Sequence, residues 1–147
     1  MLKTGSTLAD VKKIYRAIKD NAGKQGVPAV VILSMMMQES HGDVGAPLTY
    51  SPEGIPTGGL MQCYTCPGYP GQHDLTQEQI TGMIVGGMKH FKGNMGNWGN
   101  THEPRTIYPA LREYNSGNVN PNDLSDGRGA TNSYVSDVVQ RLGGWAD

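Results

Sequence analysis

Apolar residues recur every three or four positions in five segments of the chain, which is the pattern of amphipathic α-helices. Each segment is bounded by residues that favour helix starts or stops. Pro109 lies inside the fourth segment and predicts that the first turn of this helix is irregular. The predicted helices run from a Thr7 cap to Gly23, from Val27-Pro28 to Gly42, from the Thr76/Gln79 capping box to near Gly93, from Pro104 to Gly117, and from Tyr134 to Gly143. The apolar face predicted for the first comprises Leu8, Val11, Ile14, Tyr15 and Ile18.

The helical pattern disappears between the second and third helices, from Gly42 to His73. A loop of that length inside a compact domain is usually either functional or disordered, and this one, although rich in glycine and proline, keeps apolar anchors. We expect it to be ordered, with a short β-hairpin around Thr49–Ser51 and Gly59–Gln62. The sequence therefore predicts an all-α fold of about five main helices with one long ordered Gly/Pro loop, in a single domain over residues 1–147.

Composition narrows the class of protein. Charged residues make up 17% of the chain, below the typical ~25%, and the 21 glycines are about twice the usual share. The net charge is -1 and the cations look scattered, whereas a nucleic-acid-binding protein normally carries a basic stripe. A charged disordered chain, a coiled coil, a collagen and a nucleic-acid partner are therefore not expected.

The longest apolar stretch, Val27–Met37, is too short to span a bilayer, so no membrane partner is expected. Residues Met1–Ser6 lack the apolar segment of a signal peptide. Two interpretations fit this N-terminus: a cytosolic protein, or a mature secreted form with an added Met.

Two cysteines, Cys63 and Cys66, form the segment Cys-Tyr-Thr-Cys, which suits a short disulfide, a redox pair or half of a zinc site. Zinc needs two more ligands and only His73 is near, and no βαβ pattern supports a thioredoxin-like pair. A local disulfide is favoured, with free thiols as the alternative. Because the histidines and acids show no ligand spacing, no metal or organic cofactor is expected.

Glu39 is the most unusual residue in the sequence. Residues three, four and seven positions before it are Met36, Met35 and Ile32, so its carboxyl is in line with an apolar helix face. It also lies in the last turn, where the helix dipole is negative. Both circumstances favour the neutral carboxylic acid, which is the form that a general acid requires. The alternative is a Glu at the edge of the face with its carboxyl in solvent.

A Gly58-Gly59 turn followed by Gln62 is the second feature that suits a ligand site, although the glycine pair by itself is more often only a turn. Adjacent glycines let a backbone approach a ligand closely, and a glutamine amide offers the donor and acceptor that sugar hydroxyls and acetamides need.

Four segments occur in the order found in the transglycosylase SLT and goose-type lysozyme family, which the chain resembles over residues 27–140. The family signature is Glu-Ser, a Gly-Leu-Met-Gln turn about 20 residues later, and Tyr-Asn-x-Gly at the end of a later helix. The matching segments here are Gln38-Glu39-Ser40-His41, Ser51-Pro52-Glu53-Gly54, Gly59-Leu60-Met61-Gln62 and Ala110–Gly117. This resemblance implies a lysozyme-like α domain.

Carried over by position, the resemblance assigns roles to single residues. Glu39 matches the catalytic acid, and the residues that match substrate-binding positions are Ser51, Met61, Gln62, Tyr114, Asn115 and Tyr134. The likeness is greatest to secreted fungal members, which share the Arg-Leu-x-Gly-Trp seen here at Arg141–Trp145. The resemblance thus favours secretion and a Cys63–Cys66 disulfide.

The family divides on whether water or the substrate's own C6 hydroxyl attacks the sugar. An inverting hydrolase needs a second carboxylate as base, whereas a lytic transglycosylase does not. Candidates for the base are Asp43, Glu53 and Asp74, and Glu53 occupies the position, six residues before Gly59, where goose-type enzymes have Asp. A competing alignment places Glu53 at the non-catalytic position of Ser-Pro-x-Gly.

The resemblance implies a monomeric, antimicrobial muramidase that hydrolyses the β-1,4 bond of bacterial peptidoglycan. Three alternatives stay open: a lytic transglycosylase using the same Glu39, a non-catalytic glycan-binding protein, and a chitin-active enzyme.

Overall fold

A computed structural model of the chain describes residues 1–143. Its elements are a short 3-10 helix Leu2–Thr4, α1 (Leu8–Gln25), α2 (Ala29–Ser40), β1 (Thr49–Tyr50), β2 (Pro56–Gly58), β3 (Cys63–Tyr64), α3 (Gln77–Gly96), α4 (Pro104–Ser116) and α5 (Tyr134–Leu142). Five α-helices and one small three-stranded sheet confirm the prediction of a mainly helical fold within the described part of the chain.

The chain divides into two compact units, Met1–Met88 and Lys89–Asp147. The first unit contains α1, α2 and the sheet, and the second contains α4 and α5. Helix α3 begins in the first unit and ends in the second. From residue 1 to residue 143, none of the helices combines the length and the apolarity that crossing a bilayer requires.

Two predicted helix starts are confirmed by their hydrogen bonds, whereas Pro28, expected as the first residue of the second helix, is the N-cap of α2. Thr7 Oγ1 accepts from Asp10 N at 3.0 Å, and the Asp10 carboxylate accepts from Thr7 N at 2.9 Å. Thr76 and Gln79 form the same reciprocal pair before α3. Each capping box satisfies N–H groups that the first helical turn leaves unpaired.

Three predicted helix ends differ from the structure. Helix α2 closes at His41, one residue before the predicted Gly42. Helix α1 continues through Gly23 to Gln25 and closes at Gly26, whose left-handed backbone (φ +70°) ends the helix. Helix α3 likewise continues through Gly93 to Gly96. A glycine inside a helix costs only about 1 kcal/mol relative to alanine, which the burial of a further apolar side chain such as Met95 offsets.

The fourth helix has its predicted bounds. Pro104 is its first residue and Gly117 closes it at φ +74°. The main-chain oxygen of Glu103 accepts from both Thr106 N and Ile107 N at 2.9 Å, which tightens the first turn. This tightening agrees with the irregular first turn expected beside Pro109.

The sheet differs from the predicted hairpin. Strand β1 pairs antiparallel with β2, Thr49 opposite Thr57, and β2 pairs antiparallel with β3, Gly58 opposite Cys63. Residues 59–62 are not a strand, because Gly59 (φ +72°) and Gln62 (φ +47°) have left-handed backbones that an extended strand excludes. They form the turn between β2 and β3 instead.

Each unit has its own apolar core. In the first, α1 packs against α2, and buried side chains of the loop and of α3 complete the core. Its fully buried members include Ile14, Ile32, Met35, Met36, Leu60, Met61, Ile80 and Met83. In the second unit the core includes Phe91, Ile107, Leu111 and Val138. Leu8 and Tyr15, predicted on the apolar face of α1, are exposed.

Candidate active site

Glu39 lies in the last turn of α2 and is half-buried. Its neighbours on the same helix face are fully buried: Met36 and Met35 one turn before it, and Ile32 two turns before it. The Glu39 side chain therefore lies at the end of an apolar face, as predicted. The helix closes at His41, which is exposed and adopts a left-handed backbone (φ 55°). The position of Glu39 therefore combines partial shielding from water with the negative end of a helix.

Ser40 joins the end of α2 to the turn that follows β2. Its Oγ donates a 2.8 Å hydrogen bond to the main-chain oxygen of Leu60 and lies 3.2 Å from Met36 O. Leu60 is fully buried. This bond fixes residues 59–62 beside the residue that follows Glu39 in the chain.

The Gly59–Gln62 turn packs against α3 through Met61 and hydrogen-bonds to the preceding loop through Gln62. Met61 is fully buried against Gly87, where an added Cβ would lie 2.4 Å from Met61 Cγ. A sugar contact at Met61 would have to come from its main chain. Gln62 Nε2 donates to Pro47 O and Gly59 O, both at 2.9 Å, which leaves Oε1 as the end of the amide that can accept from a sugar hydroxyl.

Cys63 and Cys66 are disulfide-bonded, which confirms that prediction. Both are buried, and Cys66 N also donates to Cys63 O at 3.0 Å. The bridge packs close to α3, since a Cβ added at Gly86 would lie 3.1 Å from Cys66 Sγ. The disulfide therefore holds the segment after the turn in a fixed position.

Glu53 lies at the exposed tip between β1 and β2. The tip is a tight turn in which Ser51 O accepts from Gly54 N at 2.8 Å and Ser51 Oγ accepts from Ile55 N at 3.2 Å. The Ser51 side chain also bonds the Glu53 carboxyl, and with a main-chain N–H it holds the pKa of Glu53 below its usual value. Glu53 is thus kept as a carboxylate, the form a base needs. Ser51, expected at a substrate-binding position, organises this tip.

Of the other two residues considered as a base, Asp43 has partners at its carboxylate and Asp74 is held through its main chain. Asp43 Oδ1 accepts from Gly45 N at 2.9 Å and lies 3.3 Å from His73 Nε2. Asp74 is exposed, and its main-chain N–H donates to Asp10 Oδ2 at 2.9 Å. These contacts give Asp43 and Asp74 roles in holding the loop.

In the second unit, Tyr114 and Asn115 end α4. The half-buried Tyr114 ring meets Phe91 edge-on, with centroids 6.4 Å apart. Asn115 Oδ1 accepts from the Arg112 guanidinium and from Thr131 N at 3.1 Å. Its amide is therefore oriented with Nδ2 left to donate to another acceptor.

Arg112 is a residue that sequence reasoning missed, although it stands in the quoted motif three positions before Asn115. Its side chain is fully buried and donates to Leu124 O at 3.3 Å and Asn132 O at 3.2 Å. Burial lowers the pKa of Arg112, and the nearby Tyr134 and Asp126 oppose that shift. Arg112 thus ties α4 to the loop before α5, where Tyr134 is 2% exposed.

Within residues 1–143, the structure contains no group of three or more His, Cys, Asp or Glu side chains that could hold a metal ion.

Of the predicted terminal motif, Arg141 and Leu142 belong to α5, and Gly144 and Trp145 lie outside the described residues.

No protein-family model matches the chain, and no curated protein or solved structure matches it either.

Proposed function

We propose that the chain is a lysozyme-like muramidase that hydrolyses the β-1,4 bond between N-acetylmuramic acid and N-acetylglucosamine, with Glu39 as general acid. The observation that carries the proposal is the 2.8 Å bond from Ser40 Oγ to Leu60 O. It supports the proposal because it joins the two most distinctive motifs of the resemblance, Glu-Ser and Gly-Leu-Met-Gln, at the end of one helix.

Glu39 has the environment that a general acid requires. It follows an apolar helix face, is half-buried and lies at a helix C-terminus, and this placement supports the proposed role as proton donor. In the proposed reaction it transfers this proton to the glycosidic oxygen as the bond to the anomeric carbon breaks. The departing sugar keeps the proton as its new hydroxyl.

Glu53 is proposed as the base. As an exposed glutamate it is a carboxylate at neutral pH and can take a proton from water, and the bond from Ser51, which lowers its pKa, makes it a weaker base than a free glutamate. The hydroxide equivalent then bonds to the anomeric carbon, and the product has a free reducing end. In an inverting enzyme of this kind the two carboxyls stand about 6.5–9.5 Å apart to admit the water.

Tyr114, Asn115 and Tyr134 stay predictions as substrate-binding residues.

A neutral N-acetylglucosamine polymer is the second candidate substrate, and one observation favours it. Residues 25–88 contain five acidic residues and not one Lys or Arg. Negative charge in this segment repels an anionic wall polymer and has no such effect on neutral chitin-like chains.

The disulfide further supports secretion into an oxidising compartment, which stays part of the proposal.

The test is incubation of the purified chain with bacterial wall and with chitin oligomers, followed by mass spectrometry of the products. We expect reducing-end products, and products lighter by one water would replace hydrolysis with transglycosylation. Glu39→Gln should lower turnover by roughly 10²–10⁴-fold with an unchanged melting temperature. The matched control, exposed Glu78→Gln, should keep full activity.

Two outcomes would overturn the proposal. Wild-type activity in Glu39→Gln would remove the general acid. Saccharide binding by the wild type without any turnover would indicate a glycan-binding protein instead.

A further inference from the structure

An apolar groove of about 510 Å³ lies between α1 and α2 in the first unit. Its walls include Val11 and Ile18 from α1 and Val30 and Leu33 from α2, and Lys19 is the charged residue at its edge. The proposed glycan chemistry uses none of these residues. The groove therefore needs an explanation of its own.

Large apolar side chains at this groove are exposed to an unusual degree. Of the residues that line it, Tyr15 is 68% exposed, Val30 60% and Leu33 39%; Leu8, outside the lining but on the same side of α1 as Tyr15, is 59% exposed. These four account for most of the large hydrophobic residues exposed in the described chain. An apolar patch rimmed by polar residues is typical of an interaction surface.

Positive charge is concentrated on the same face of α1. Lys12, Arg16 and Lys19 are exposed and follow at intervals of four and three residues, so they share a side of the helix with Leu8 and Tyr15. The only exposed acid of α1 is Asp20, which lies 3.6 Å from Arg16. Half of the twelve Lys and Arg residues fall within residues 3–24, so the cations are not scattered as expected.

We define the basic apolar face as Leu8, Lys12, Tyr15, Arg16 and Lys19 of α1 with Val30 and Leu33 of α2. We propose that this face docks the protein on the surface of an anionic phospholipid bilayer. The apolar side chains enter the boundary between head groups and acyl chains while the three cations pair with lipid phosphates. This binding is peripheral, and it replaces the expectation that the chain has no membrane partner.

A bilayer fits the face better than the other partners that its chemistry could suggest. A hydrophilic polyanion would pair with the cations but leave Tyr15, Val30 and Leu33 in water. A second copy of the chain would supply acids from residues 25–88, but the large exposed hydrophobics of that segment beyond α2 are only Tyr50 and Tyr64. An anionic bilayer offers both phosphates that pair with the cations and an apolar interior that accepts the exposed hydrophobic side chains.

The test is sedimentation of the full chain with vesicles of phosphatidylglycerol and phosphatidylcholine, and with phosphatidylcholine alone. We expect binding to the anionic vesicles, little to the neutral ones, and weakening with salt. The triple variant Lys12→Gln, Arg16→Gln, Lys19→Gln should lose on the order of 100-fold in partitioning, since each cation contributes roughly fivefold. The control triple variant Lys24→Gln, Lys89→Gln, Arg128→Gln removes equal charge from exposed positions elsewhere and should lose much less.

The double variant Tyr15→Ser, Val30→Ser tests the apolar half of the face and should lower partitioning by at least tenfold. Both positions are exposed, so thermal melts should match the wild type. Unchanged partitioning of this double variant, together with equal binding of polyphosphate, would overturn the proposal in favour of general anion binding. A lipid-free dimer that the double variant abolishes would also overturn it. Neither result bears on the proposed glycan cleavage, which is tested by its own assay.

Discussion

Ser40 and Leu60 are twenty positions apart in the chain, yet Ser40 Oγ donates a 2.8 Å hydrogen bond to the main-chain oxygen of Leu60. The same Oγ accepts from Gly42 N at 3.3 Å, so one hydroxyl closes α2 and holds the Gly59–Gln62 turn. Because Glu39 immediately precedes Ser40, the position of the proposed acid and the position of the turn depend on the same contact.

Ser40→Ala should therefore lower both stability and glycan cleavage. It leaves the Leu60 oxygen without this donor in a buried setting, which costs about 1–3 kcal/mol of unfolding free energy. The matched control is Ser34→Ala on the same helix, because the Ser34 hydroxyl bonds only its own helix, at Val30 O. Urea unfolding and wall lysis measure the two effects. Equal loss in both variants would contradict a special role for Ser40.

Asp10 gives a prediction about pH. Burial by itself raises the pKa of this fully buried carboxylate, but the N–H groups of Thr7, Asp74 and Leu75 outweigh burial and lower it below the ordinary 3.8. A lowered folded pKa means that the stabilisation is present above the unfolded value and is lost as the pH falls through the folded one. The wild type should accordingly lose stability below about pH 4.

Asp10→Asn should remove that part of the acid dependence and lower stability at pH 7 by about 1–3 kcal/mol, because the amide keeps one acceptor oxygen and turns its NH2 group toward at least one of the three N–H donors. Asp20→Asn, at an exposed position of the same helix, should change stability by less than about 0.5 kcal/mol. Thermal melts from pH 2 to pH 7 distinguish the variants. A wild-type pH profile retained in Asp10→Asn would show that another group causes the acid dependence.

Local signals in the sequence predicted the helices well because their causes are local. Pro104 and Gly117 bound α4 through a missing N–H and a left-handed backbone, which are properties of single residues. The failure at Gly93 has the opposite cause, because burial of Met95 let α3 continue through a glycine that costs little. At Gly23 the small cost of the glycine alone let α1 run on to its closure at Gly26. Tyr15 fits the helical period as well as Ile14 does, and periodicity alone did not show that it is exposed.

The candidate site was predictable from sequence only where a motif covered it. Glu39 and the Gly59–Gln62 turn followed from the apolar spacing and the resemblance. The contact that joins them did not, because the bond from Ser40 to Leu60 links residues twenty positions apart, just as the bond from Leu75 N to Asp10 links the end of the loop to α1. A pattern that repeats over a few residues carries no information on such pairs.

Arg112 should be sensitive even to a conservative change. Its guanidinium donates to Leu124 O, Asn132 O and Asn115 Oδ1 in a fixed planar arrangement that an ammonium cannot reproduce. Arg112→Lys is expected to cost about 3 kcal/mol in urea unfolding. The exposed Arg105→Lys should cost under about 0.5 kcal/mol, and a similar loss there would contradict the assignment.

Two glycines of α3 provide a paired test of how the turn is seated. At Gly87 an added Cβ would lie 2.4 Å from Met61 Cγ and 2.5 Å from Met61 Cβ, atoms too near the backbone to move cheaply. At exposed Gly82 an added Cβ meets no atom of the described chain within 4 Å. Gly82→Ala should stabilise the protein by about 0.5–1 kcal/mol, because alanine is the better helix former and nothing opposes it.

Gly87→Ala should instead destabilise the protein by about 1–3 kcal/mol and lower glycan cleavage, because Met61 and the Gly59–Gln62 turn must shift to admit the methyl group. Calorimetry and lysis rates on the two variants measure these changes with the same substitution in the same helix. If both variants were stabilised equally with full activity, Met61 would not be packed on Gly87, and the turn would not depend on α3 for its position beside the end of α2.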